Sequence, residues 1–205
     1  MTTERSICRP GHGASCALCC CSHNYRAPYA EIDALFERRA ALLSQFSRGY
    51  LIGAVRGSRS DMTGSYYFRG ERVMSDVIEK RVENAFQCPF VGYIDGERTV
   101  GCVLYPDEHK CGAAFDCHQV YRSKRFTCAA RDTLSETEYT YAARLCGDWY
   151  HYGALIHMPD FLGALMDEHP DVRLVSFDAR RAIFARIEGF ILQDDALHRI
   201  DSYFG

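Results

Sequence analysis

The sequence predicts an α+β fold, mainly helical, with cysteine-rich loops and one small β-hairpin. Three observations predict it. Apolar residues recur at helical spacing in several segments. One short β-rich stretch brackets an Asp95-Gly96 turn signal. Ten of the 11 cysteines precede residue 132, most of them in polar or glycine-flanked stretches that have no core to fill.

The elements follow in order. Cys8, Pro10, Gly11 and Gly13 lead into Cys16-Ala-Leu-Cys19-Cys20-Cys21, which reads as a loop wrapped around something. Pro28 then opens a helix over about 29–46, with Ile32, Leu35, Phe36, Leu42, Leu43 and Phe46 as its apolar stripe and Glu31, Glu37, Arg38 and Arg39 mostly opposite. Gly49, Gly53, Gly57, Gly64 and Gly70 mark an irregular connection, with a short strand at 50–55. A second helix is expected over 71–86 on Val73, Val77, Ile78, Val82 and Phe86, stopping at Cys88-Pro89. Residues 90–94 and 99–105 form the hairpin, which sets Cys102 opposite Val91.

A polar loop over 106–131 carries Cys111, Cys117 and Cys128. Ser135-x-x-Glu138 has the form of a capping box and starts a helix to about residue 152 that contains Cys146 and Trp149. Pro159 begins a shorter helix ending near His169-Pro170. A strand is expected at 174–177, then a helix capped by Asp178 and ended by Gly189, and a last helix over 194–203. The division is a cysteine-rich portion over 1–131 and a helical portion over 132–205, packed together as one unit. The second portion serves as scaffold or as a surface for a protein partner.

Bulk properties narrow the function. With 205 residues, 47% hydrophobic and 25% charged, the chain can bury a core without help from disulfides. Its net charge of −3 gives no global basic field. Arg48, Arg56, Arg59, Arg69 and Arg72 interleave with Tyr50, Tyr66, Tyr67 and Phe68, a mixture that suits single-stranded nucleic acid. The overall charge argues against that partner. Residues 1–10 lack the apolar stretch of a signal peptide, and no window approaches the ~20 apolar residues of a membrane helix. The expectation is a cytoplasmic protein with no membrane partner. Cytosolic thiols stay reduced, so dense cysteines there point to metal binding or catalysis, and an odd count fits poorly with a paired framework.

Thiolates are soft donors suited to zinc and to iron–sulfur clusters. Cys16-x-x-Cys19 can turn two sulfurs toward one ion, whereas adjacent Cys19, Cys20 and Cys21 point apart and would not all serve it. The candidate ligands are Cys16, Cys19, Cys20, Cys21, Cys88, Cys102, Cys111 and Cys117, so the fold is expected to be organised around a metal centre. The surplus of thiols over neighbouring histidines and the Cys88-Pro89 step tilt the choice toward iron–sulfur over zinc. His12, His23, His109 and His118 lie beside cysteine segments but read as loop residues, with His118 the first to test. Cys146 reads as a small core hydrophobe, and His151 and His157 as packing.

Cys16-x-x-Cys19-Cys20, Cys88-Pro89-Phe90, Cys102-Val103-Leu104-Tyr105, Cys111 and Cys117, in that order, resemble the bacterial zinc- or iron-chelating domain family named for its CxxCxxxCC signature. The resemblance spans about residues 13–117 and implies a cysteine-rich loop before a helix, then a Cys-Pro-Phe segment and three further cysteines. The first signature cysteine falls on Gly13, with Cys8 as a substitute, and Asp107-Glu108-His109 replaces the usual Arg-Pro. Some flagellin lysine methylases are similar to the same family. Neither the radical S-adenosylmethionine spacing nor a glycine-rich methyl-donor loop is present, so that link implies fold and not activity.

Phosphate loops, nucleophile elbows, His-Glu-x-x-His and dinucleotide fingerprints are also missing from the sequence. The reading is a metal-binding protein with a structural, redox or carrier role. The alternatives are a metal-dependent enzyme with an open coordination position and a thiol redox protein cycling through Cys16 and Cys19.

Overall fold

The structure, a computed structural model, describes residues 6–18, 22–45, 65–68, 71–75, 91–96, 98–102 and 128–193. Among them are six α-helices and two antiparallel strand pairs, a mainly helical α+β arrangement. No helix among the described residues is long and apolar enough to cross a membrane.

Helix α1 (Tyr29–Leu43) starts where Pro28 predicts, its first turn closed by Glu31 and Ile32 amides donating to the Pro28 carbonyl. Ile32, Leu35 and Phe36 are buried, and so is Arg39, which sits one turn further along the same stripe. Arg39 therefore does not share the polar face expected for it. Its guanidinium donates to the Val91 carbonyl at 2.8 Å and to the Tyr25 hydroxyl at 2.7 Å, which ties the helix to a strand.

Strands β1 (Ser65–Phe68) and β2 (Glu71–Ser75) pair antiparallel, with an irregularity between Tyr66 and Tyr67. The start of the helix expected over 71–86 is thus a strand. Tyr66, Tyr67 and Phe68 favour a pleated surface, and only Arg69 and Gly70 separate the two runs, a spacing that closes a hairpin. Two strand pairs consequently replace the single hairpin expected. The remainder of that helix, the strand at 50–55 and the helix over 194–203 lie outside the described residues.

Strands β3 (Val91–Tyr93) and β4 (Val100–Cys102) pair in the expected register, with Val91 opposite Cys102. The Asp95 carboxylate accepts from the Thr99 amide at 3.0 Å and tightens the turn. α1 packs on β3, and Arg98 at the turn reaches back to pair with Asp33 and Glu37 of α1.

Helix α2 (Ala129–Thr133) is a single turn at the end of the expected loop. Helix α3 (Glu136–Cys146) has the capping box of Ser135 and Glu138 in both directions. It does not run on to residue 152. Gly147 adopts a left-handed conformation at φ 69° and ends it, and Asp148 caps a new helix, α4 (Trp149–Leu155), by accepting from the His151 amide.

α5 (Pro159–Glu168) opens on proline as expected. A 3₁₀ turn (Val172–Leu174) leads to α6 (Phe177–Gln193) in place of the strand expected at 174–177. Ser176, not Asp178, accepts from the first-turn amides, and the helix continues through Gly189. Its buried stripe is Ile183, Ile187 and Ile191, and it packs on α4.

Candidate functional site

All seven residues of α4 are buried, including two tyrosines, a histidine and a tryptophan. A helix buried on every side must find partners for each polar side chain. The Trp149 indole donates to the Tyr93 hydroxyl at 3.0 Å. Tyr93 in turn bonds Asp33, whose carboxyl burial would raise but the Arg98 guanidinium and the Tyr93 hydroxyl hold below its ordinary value. The Tyr152 hydroxyl donates to the Ile7 carbonyl at 2.6 Å, reaching across to the N-terminal loop.

That loop is shaped by three consecutive left-handed residues, Gly11, His12 and Gly13, at φ 87°, 61° and 76°. A Cβ on residue 13 would stand 2.8 Å from the Gly147 carbonyl oxygen, so a cysteine is excluded there by space as well as by backbone conformation. The chain supplies a cysteine nearby instead. The Cys16 amide donates to the Cys8 carbonyl at 3.0 Å, which sets the two residues side by side.

Cys16 is half-buried and its Sγ lies against α4, where a Cβ on Gly153 would meet it at 3.8 Å. Burial pushes the Tyr152 hydroxyl far above its ordinary pKa, and negative charge on Cys16, Cys8, Tyr139 and Cys146 pushes it further. The phenol therefore stays a neutral donor. The run from Cys19 to Cys21 is bracketed by buried Leu18 and Ser22, and the Ser22 amide donates to the Ala17 carbonyl at 3.3 Å.

No family model, curated protein or solved structure matches the chain. The site is therefore read from its own chemistry.

Of the eight expected ligands, Cys16 is placed as above, and Cys102 stands in β4 opposite Val91. Cys19, Cys20, Cys21, Cys88, Cys111 and Cys117 lie outside the described residues, as do His109 and His118. Among the described residues no group of three or more His, Cys, Asp or Glu side chains is placed to hold a metal ion.

The histidines near the loop have other engagements. His23 is buried, with Nε2 2.8 Å from the Tyr150 carbonyl and Nδ1 2.9 Å from the Ser22 hydroxyl. A carbonyl only accepts, so Nε2 carries the proton and Nδ1 accepts from Ser22. Both ring nitrogens are used, and His23 is a strut between loop and helix, not the solvated residue expected. His12 is exposed and accepts from the Arg144 guanidinium at 3.4 Å. Cys146 is buried, and desolvation pushes its thiol well up, as suits a core residue.

Two residues given no ligand role by the sequence meet just past the C-terminal end of α4. His157 Nδ1 lies 2.8 Å from the Gly153 carbonyl, and its Nε2 lies 4.0 Å from Cys128 Sγ. Burial raises the Cys128 thiol and lowers the His157 imidazole, so both are neutral at ordinary pH. Nothing local links residues 128 and 157, because the turn of α2 and the end of α4 meet only in the folded chain.

Proposed function

We propose that this chain is a metal-binding protein whose clustered cysteines hold an iron–sulfur cluster or zinc, in a structural, redox or carrier role. The observation that carries the reading is the seating of Cys16, with Cys8 beside it, on the one glycine of a wholly buried helix. A thiol loop fastened to a rigid element suits a centre that needs several donors held at fixed separations. Cys8 beside Cys16 also supplies the thiol that the CxxCxxxCC resemblance lacks at Gly13.

The donors would be Cys16, Cys19, Cys20 and Cys21 with Cys88, Cys102, Cys111 and Cys117, and Cys8 as an addition. His23 is committed to Tyr150 and Ser22 and His12 accepts from Arg144, which leaves thiolates as the donors of the loop and favours iron–sulfur or an all-cysteine zinc site. Bound iron–sulfur would supply electron transfer, and zinc would supply a closed structural node. The chain's own residues do the positioning. Gly153 makes room for the His23 ring beside Cys16, Tyr152 anchors the loop through Ile7, and His23 fixes its far end on Tyr150.

The test is strictly anaerobic purification of the full chain, with an absorption spectrum and elemental analysis of one sample. Broad absorption near about 400 nm with iron and sulfide is the expected cluster result. Colourless protein with stoichiometric zinc selects the other metal. Folded protein containing neither metal overturns the proposal.

A further inference from the structure

We propose that Cys128 Sγ and His157 Nε2 form a second metal-binding pair, for a thiophilic divalent cation such as Zn2+, sharing no ligand with the cysteine loop. Three features of the geometry support it. The first is the orientation of the imidazole. Nδ1 at 2.8 Å from the Gly153 carbonyl must carry the ring proton, since that oxygen only accepts. Nε2 then presents its lone pair toward the sulfur. A ring N–H donated to a main-chain carbonyl is also the arrangement that orients histidine ligands to metals and raises their basicity.

The second is the separation. At 4.0 Å, Sγ and Nε2 stand at the outer limit of a thiol hydrogen bond. Two ligands of one zinc ion, with Zn–S about 2.3 Å and Zn–N about 2.05 Å, stand ~3.5 Å apart at the tetrahedral angle and ~4.0 Å apart when that angle opens to ~130°. The pair therefore needs an adjustment of at most half an ångström to share an ion.

The third is placement. Cys128 immediately precedes α2, and His157 follows the last turn of α4, so both are fixed by helix ends that pack into the common core. On binding, Cys128 forms a metal–sulfur bond and releases its thiol proton to solvent, and no oxidation state changes. The pair fills two positions of a tetrahedral ion and leaves two for water or added ligands.

The experiment loads the reduced full-length chain with cadmium-113 ions and records cadmium-edited proton spectra. A scalar coupling from bound cadmium to the His157 ring protons is expected in the unaltered chain, which needs no variant to interpret. It should vanish in Cys128→Ser and in His157→Gln, with near-ultraviolet spectra reporting that each variant is folded. Cadmium bound by the chain with no coupling to His157 overturns the pair and leaves the cysteine-loop reading standing. A coupling that survives unchanged in folded Cys128→Ser also overturns the pair. A folded chain that binds no cadmium overturns the pair as well, while the cysteine-loop reading is decided by its own metal analysis.

Discussion

Raising the pH should loosen α6 from α4, and His151 is the reason. Its imidazole is buried and stacked on Phe184 of α6 at 4.1 Å between ring centroids. Nδ1 lies 2.8 Å from the Asp148 carboxylate and Nε2 3.2 Å from that of Glu188. A neutral ring can donate to only one of them, so the doubly bonded geometry belongs to the imidazolium. Burial would lower the pKa, but Asp148 and Glu188 outweigh it and raise it above the ordinary histidine value. Tyr150 and Tyr29 also contact the ring edge-on, at 5.5 Å and 6.1 Å between centroids, and burial keeps the Tyr29 hydroxyl protonated.

The sign of the linkage follows. A folded pKa above the unfolded one, about 6.5, gives stabilisation that is complete below pH 6.5 and lost as pH rises through the folded value. The Asp148 contact is largely shielded, and a buried charge-assisted hydrogen bond contributes about 1.5–3 kcal/mol. Glu188 is 50% exposed, so its share is screened to about 0.5 kcal/mol. His151→Gln should therefore cost about 2 kcal/mol near pH 5.5 and clearly less near pH 8.5.

Denaturant unfolding followed by the fluorescence of Trp149, the one tryptophan in the chain, measures the difference at each pH. Asp148→Asn keeps a good helix cap while removing the charge, so it should lower the His151 pKa without unfolding α4. A gap between wild type and His151→Gln that stays flat across pH would refute the reasoning. So would a His151 resonance titrating below about 6.5.

Three further outcomes are expected. Gly13→Ala should cost roughly 1–3 kcal/mol, because the left-handed backbone and the 2.8 Å approach to the Gly147 carbonyl act together; a lower denaturant midpoint at unchanged slope is the measurement. Tyr93→Phe removes the hydroxyl shared by Asp33, Trp149 and Arg98, and should cost about 1–3 kcal/mol with a shift in Trp149 emission. Gly189→Ala should stabilise by about 0.5–1 kcal/mol, since an added methyl meets nothing within 4 Å inside a continuous helix; thermal unfolding would register it.

Much of the fold was legible wherever the signal was local. Pro28, Pro159, the Ser135–Glu138 box and the Asp95-Gly96 turn each act within a few residues, and each element starts or turns where they say. The break at Gly147-Asp148 was legible too, since a left-handed stop followed by an aspartate cap is a helix boundary, but the apolar run across it masked the signal. Arg39 was misplaced because charge was weighed over phase; its position seven residues after Ile32 puts it on the buried stripe. For residues 71–75, Val73 and Val77 fit helical spacing equally well, and pairing with 65–68 decided the matter. The contacts of His23 with Tyr150 and of Cys128 with His157 had no local signal, because the partners lie 127 and 29 residues apart.

The seven residues of α4 are too few to form a helix on their own. They hold because neighbours cover them on every side, and part of that cover is the N-terminal loop. Tyr152 donates to Ile7, and the Tyr150 carbonyl accepts from His23, so lifting the loop would strand a buried hydroxyl and take a second donor from the Tyr150 carbonyl. The stranded Tyr152 hydroxyl alone costs about 1–3 kcal/mol, a large share of the stability of a domain this size. The conformation of the thiol-bearing loop and the stability of the helix beneath it are consequently one cooperative unit. A cation that bound the loop in this conformation would stabilise the unit in proportion to the logarithm of its concentration over its dissociation constant. Trp149 opens α4 and contacts His23 edge-on at 5.3 Å between ring centroids, so its unfolding transition would carry the report of an event at the cysteines.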